Sequence, residues 1–101
     1  MIEREFFLGF IRIHILYHAS KEAIFGVKIA GELARHGYEV SPGTLYPILH
    51  QLTADGYLES STDVVGGKMR KYYRATAKGK RVLENARRKI RELVKEVLEE
   101  K

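Results

Sequence analysis

The sequence predicts a mainly α fold with a small β-hairpin, and three observations carry that class. Apolar residues recur at spacings of three and four through four separate stretches, as in helices with one buried face. One β-prone run of aromatic and charged residues, Arg70-Lys71-Tyr72-Tyr73-Arg74-Ala75, follows a Gly66-Gly67 pair, the pattern of a hairpin. The chain has 101 residues, no internal repeat and no Cys. That length suits one compact domain, and the missing Cys excludes a disulfide framework, a thiolate metal site and a cysteine nucleophile.

The elements follow in order. Glu3 to His18 carries Phe6, Phe10, Ile13 and Tyr17 in one row, widened by Phe7 and Ile11. This spacing predicts a helix buried over much of its circumference, one side on the core and another on a second subunit. A second helix reads Ile29, Ala30, Leu33 and Ala34, and Gly37 closes it as a left-handed residue after the last turn. Ser41-Pro42 opens a third, with Ser as N-cap and Pro at the first helical position. Its apolar face is Leu45, Ile48, Leu49 and Leu52, and Gly56 ends it. Two amphipathic helices joined by the short Tyr38–Val40 turn form a helix-turn-helix pattern. Tyr57-Leu58-Glu59-Ser60 reads as a strand start, Val64 to Met69 as a flexible loop, and Arg70 to Ala75 as the returning strand. Thr76 caps a last helix running to about Glu99, with a seam of Leu83, Ala86, Ile90, Leu93 and Val97. The architecture expected is a winged helix-turn-helix over 1–76 and a long C-terminal dimerisation helix over 77–101, as one structural unit.

Charge is concentrated. Residues 1–65 carry five bases and eight acids, and residues 66–91 carry eleven bases and one acid, a local balance of +10 within a net +5. A basic stripe of this kind is the footprint of a polyanion binder. The longest apolar stretch, Phe6 to Tyr17, contains Arg12 and His14 and is too short for a membrane span. Glu3 and Glu5 stand where a secretory signal carries bases. The expectation is a cytoplasmic, nucleoid-associated protein with no membrane partner.

At about 100° per residue, the outward side of the third helix presents Gly43, Pro47 and His50, flanked by Thr44, Tyr46 and Gln51. A recognition helix offers such side chains to base edges and phosphates in the major groove. Ser41, Thr44, Tyr46, His50 and Gln51, on a helix spanning 42–55, are therefore candidate DNA contacts. Lys68, Arg70, Lys71 and Arg74, on a wing spanning 64–74, are candidate contacts to the duplex backbone. Double-stranded DNA is the expected partner.

Val40-Ser41-Pro42-Gly43-Thr44-Leu45-Tyr46-Pro47-Ile48-Leu49, then Gly56-Tyr57-Leu58, then Arg70-Lys71-Tyr72-Tyr73 with Thr76 and Gly79, resembles the PadR family of transcriptional regulators, in its short branch without a separate C-terminal domain. The resemblance spans roughly Phe6 to Leu83. It implies a winged helix-turn-helix that binds a palindromic operator as a homodimer, usually as a repressor, pairing through the C-terminal helix with help from the first. The expected interface is Phe6, Phe10, Leu83, Ala86, Ile90, Leu93 and Val97. Family members often carry Arg and Glu where this chain has Gln51 and Thr53, and Arg-Pro where it has Lys68-Met69. Some short relatives hold planar aromatic compounds at the dimer interface through Trp. This chain has no Trp, and Phe10, His14 and Tyr17 are the candidate lining for a small aromatic effector.

An enzyme is not expected, because no Ser-His-Asp set, paired-carboxylate site or phosphate-cradling Gly loop is present. No cofactor and no metal site is expected. His14 and His18 share a helix face, with His36 or His50 as a third ligand only at a distance. The alternative reading is a winged-helix protein-interaction module, or a ligand- or metal-responsive sensor using the dimer interface.

Overall fold

The computed structural model describes residues 2–100. It consists of α1 (Ile2–Lys21), α2 (Gly26–Arg35), α3 (Pro42–Ala54), β1 (Leu58–Val65), β2 (Lys68–Ala75) and α4 (Ala77–Leu93), which continues as a π-helical turn, Val94–Leu98. The mainly helical class with one antiparallel hairpin is the one the sequence predicts. The core draws on every element: Ile11, Ile15 and Leu16 of α1, Ile29 and Leu33 of α2, Leu45, Ile48, Leu49 and Leu52 of α3, Leu58 and Tyr73 of the hairpin, and Leu83 of α4. The four α3 residues are the apolar face read from its spacing.

Two helix ends use glycine as expected. Gly37 and Gly56 adopt φ of +85° and +83°, the left-handed conformation in which a side chain is strained. Ser41 does occupy the N-cap of α3 with Pro42 behind it, but its hydroxyl caps no backbone N–H. It donates instead to Thr44 Oγ1 at 3.3 Å, and the Ser41 carbonyl accepts the first amides, from Thr44 and Leu45.

The hairpin corrects the sequence reading. Val64 to Met69 is not a flexible loop: β1 runs unbroken to Val65, and Val65 pairs with Lys68. Only Gly66 and Gly67 turn the chain, at φ of +57° and +78°, the two-residue turn whose twist matches the strands it joins. The β-branched Thr62, Val64 and Val65 favour the extended backbone that carries pairing to the tip. At its base the hairpin is tied to the helices. The Ile24 and Tyr73 backbones exchange bonds of 2.9 and 2.8 Å, a single antiparallel bridge that ties the segment before α2 to β2. Tyr57, Thr76 and Gly79 close the other side. The Thr76 hydroxyl donates to the Gly56 carbonyl at 2.6 Å and accepts from the Gly79 amide at 3.0 Å. The backbone there is so close that a Cβ on Gly79 would overlap the Tyr57 carbonyl.

The first turns of α4 lie against α1, and the rest of the helix projects beyond the body. The molecule is elongated in consequence, 54 × 28 × 21 Å.

Candidate nucleic-acid interface

α3 lies along the surface with its apolar face down and Gly43, Tyr46, Pro47, His50 and Gln51 exposed above it. The helical period requires that split, because Leu45, Ile48, Leu49 and Leu52 take the inward positions. Pro47 has no N–H, so the Gly43 carbonyl loses its helical donor on that outer face. A groove runs along each flank of the helix.

On one flank the groove is walled by Phe25, Gly26, Tyr46, Lys68, Arg70 and Lys71. It brings four of the predicted contact residues together: Tyr46 from α3 and Lys68, Arg70 and Lys71 from the wing. Tyr46 seats its hydroxyl against Gly26, where a Cβ would overlap it. Its ring therefore braces α2 against α3. Burial, with Tyr46 nearby, raises the pKa of the Tyr73 phenol beneath. The Arg70 guanidinium lies 4.2 Å from the Phe25 ring centroid, and Phe25 meets Tyr72 edge-on at 5.6 Å. Such stacking holds a guanidinium by its face and leaves its in-plane donors free. Lys71 stands over Tyr73. Arg74 stays apart, at the base of β2 across from Glu59.

On the other flank the groove, of about 280 Å³, is lined by Thr44, Gln51, Gly43 and Pro47 of α3 and by Arg4, Leu8 and Arg12 of α1. Gln51 Nε2 donates to Asp55 Oδ1 at 2.9 Å. His50 lies outside both linings and faces solvent on the ridge between them. The predicted contacts thus divide into a wing-side set, a groove pair of Thr44 and Gln51, and the ridge residue His50, with Ser41 exposed at the N-cap of α3 and Arg74 at the base of β2 outside both grooves.

A family model described as the Transcriptional regulator PadR-like family matches residues 15–85. The chain belongs to that family. It is 52% identical over 95 residues to Transcriptional regulator Rv3488 of Mycobacterium tuberculosis, with 94% of this chain and 89% of that protein covered. Among solved structures it resembles a PadR-like transcription factor from Bacteroides fragilis at 28% identity and a TM-score of 0.84, covering 99% and 98% of the two chains. It also resembles a PadR-like transcriptional regulator from Bacillus cereus at 30% identity and a TM-score of 0.82, with 90% of each chain covered. The regulator is a DNA-binding protein and not an enzyme. Among the described residues no helix is long and apolar enough to cross a membrane, and no group of three or more His, Asp or Glu is placed to hold a metal ion.

The aromatic residues of the regulator's α1 cluster with the aromatic residues around them. Phe10 stacks on His14 at 4.3 Å between centroids and meets Tyr38 at a tilt at 4.6 Å. His36 meets His14 edge-on, and Tyr17 joins only through His18. Burial lowers the pKa of His14, with smaller contributions from His36 and His18, while Glu32 opposes them. The candidate dimer seam also divides. Leu83 is 4% exposed inside its own protomer, whereas Ile90, Leu93 and Val97 are 44%, 56% and 64% exposed, and Phe6 is 65%. Ala86 and Phe10 are half-buried. Arg4 and Arg12 are absent from the sequence-based set. No local pattern marks them, because the groove arises only where α1 crosses α3.

Proposed function

We propose that this regulator is a repressor that binds a palindromic operator as a homodimer, reading each half-site with α3 and gripping the flanking backbone with the β1–β2 wing. In this reading residues 1–76 form the DNA-binding part and 77–101 the dimerisation helix. The observation that carries it is the basic wing beside an exposed α3 face. Lys68, Arg70 and Lys71 share one groove with Tyr46, and Thr44, His50 and Gln51 project from the same helix. A helix fits the major groove and reads base edges there, while cations beside it neutralise phosphates. Gln51 is suited to adenine N6 and N7 once it leaves Asp55. Two copies related by two-fold symmetry place their recognition helices about one helical turn apart on the duplex. Occupancy of a promoter by such a dimer excludes polymerase, and that exclusion is the repression proposed.

Selection of bound duplexes from a random library by the purified protein tests this reading. The expected result is one palindromic site bound tightly, with affinity falling steeply between about 50 and 200 mM salt. Transcription from a promoter carrying that site should drop when the protein is added. Weak, salt-sensitive binding with no preferred sequence would refute the operator reading.

A further inference from the structure

The second groove carries cations that neither the fold nor the wing explains. Arg4, Leu8 and Arg12 are four residues apart, so they share one face of α1, while Phe6, Phe10 and Tyr17 fall on the opposite one. Both arginines are exposed, and among the described residues neither forms an ion pair or a side-chain hydrogen bond. Arg4 stands near the N-terminus of α1, where a cation opposes the helix dipole and lowers helix stability. Glu3 and Glu5, the acids suited to that dipole, are outside the groove lining. Across the groove are Gly43 and Pro47, which are short, and Thr44 and Gln51, which are hydrogen-bonding. Arg70 and Lys71 occupy the opposite flank of the same helix. α3 is therefore bordered by cations on both sides.

A major groove about 12 Å wide has a phosphate strand along each wall. A helix inserted in it brings its two flanks toward different strands, and the wing serves only one of them. We propose that Arg4 and Arg12 of α1 bind the DNA phosphates on the wall opposite the wing, so that α3 is held between two cationic grips. The inference rests on α3 being the recognition helix. Its consequence is that the first helix orients α3 in the groove as well as covering the core, and that the exposed Phe6 on the opposite side of α1 stays free for another contact.

The experiment uses the full-length protein and its selected duplex, with Arg4→Gln/Arg12→Gln, Arg4→Lys/Arg12→Lys and, as reference, Arg70→Gln/Lys71→Gln. Kd is measured across a salt series, and phosphates are probed by ethylation interference. The glutamine pair should flatten the log–log salt slope by about 0.9 for each phosphate no longer neutralised. It should weaken matched and mismatched duplexes by the same factor and remove interference only on the wall away from the wing. The lysine pair should keep the slope. A glutamine pair with unchanged affinity, slope and interference, while the wing variant is altered in all three, would overturn the assignment and leave α3 as the recognition helix. Equal weakening in the lysine and glutamine pairs would overturn it too, since charge would not be the cause. Absence of any selected duplex for the unmodified protein would overturn both readings.

Discussion

Single side chains hold the junctions on which the interface depends, and Thr76 is the most heavily used. Its hydroxyl serves two backbone groups, the Gly56 carbonyl and the Gly79 amide, joining the end of α3 to the start of α4. Thr76→Ala removes an N-cap and a hydrogen bond to an exposed carbonyl, at a cost of about 1 kcal/mol, most of it from the lost cap. Chemical denaturation should show that loss, and Thr76→Ser should recover most of it. His14 titrates at the same scale. Its Nδ1 is buried with no partner among the described residues, and burial followed by His36 and His18 depresses its folded-state pKa below the usual 6.5. Above that value both folded and unfolded chains carry a neutral imidazole, and stability is unaffected. As the pH falls from 6.5 toward the lower folded-state value, the unfolded chain takes up a proton that the folded one resists, so stability declines. Melting temperature should therefore drop between about pH 7.5 and pH 5.5, and His14→Gln should drop less. Identical pH slopes for the two proteins would rule out His14 as the source.

The elements differ in how openly the sequence states them. α3 is legible at both ends, because Ser41-Pro42 starts it and Gly56 stops it, and its four apolar residues all reach the core. The length of the hairpin is not. Beyond Leu58 every residue of β1 is exposed, so the strand has no alternation of apolar and polar residues to show its extent. Pairing to Val65 depends on β2 and on the Gly66-Gly67 turn, which only the partner strand reveals. The half of the interface that includes Arg4 and Arg12 is hidden for a related reason, since helix crossing is a tertiary event. The exposure of the wing's distal part, beyond the buried Leu58 and Tyr73, gives a prediction. Gly66→Ala with Gly67→Ala forces two side chains into left-handed backbone, at about 1–2 kcal/mol each. That cost falls on an outer hairpin that buries little, so the global melting temperature should hardly move. Amide exchange in β1 and β2 should quicken and DNA affinity should fall. A large global loss would show that the wing is part of the core after all.

At the scale of the whole molecule, the far half of α4 carries apolar side chains that its own chain leaves exposed. α4 begins as a core helix with Leu83 buried, then carries Ile90, Leu93 and Val97 into solvent along a single stripe. An apolar stripe of this length on a helix with otherwise charged faces suits the interface of the proposed dimer. Phe6 is likewise exposed and lies on the α1 face turned away from Arg4 and Arg12, so the proposed pairing and the proposed phosphate contact fall on different sides of one helix. Proposed dimerisation through α4 therefore predicts a separation of effects. Ile90→Asp with Val97→Asp should yield monomers in sedimentation velocity at concentrations where the unmodified protein is dimeric. Because neither residue is buried in the protomer, circular dichroism should still show a folded helical domain. DNA affinity should fall toward the non-specific range of about 10⁻⁴ to 10⁻⁶ M, since each half-site would then be bound alone. The Arg4 and Arg12 variants should show the reverse: dimers by sedimentation, with a flattened salt dependence. If the aspartate pair still sedimented as a dimer, α1 and its aromatic face would have to supply the interface, and the placement of two recognition helices on one duplex would need a different two-fold axis.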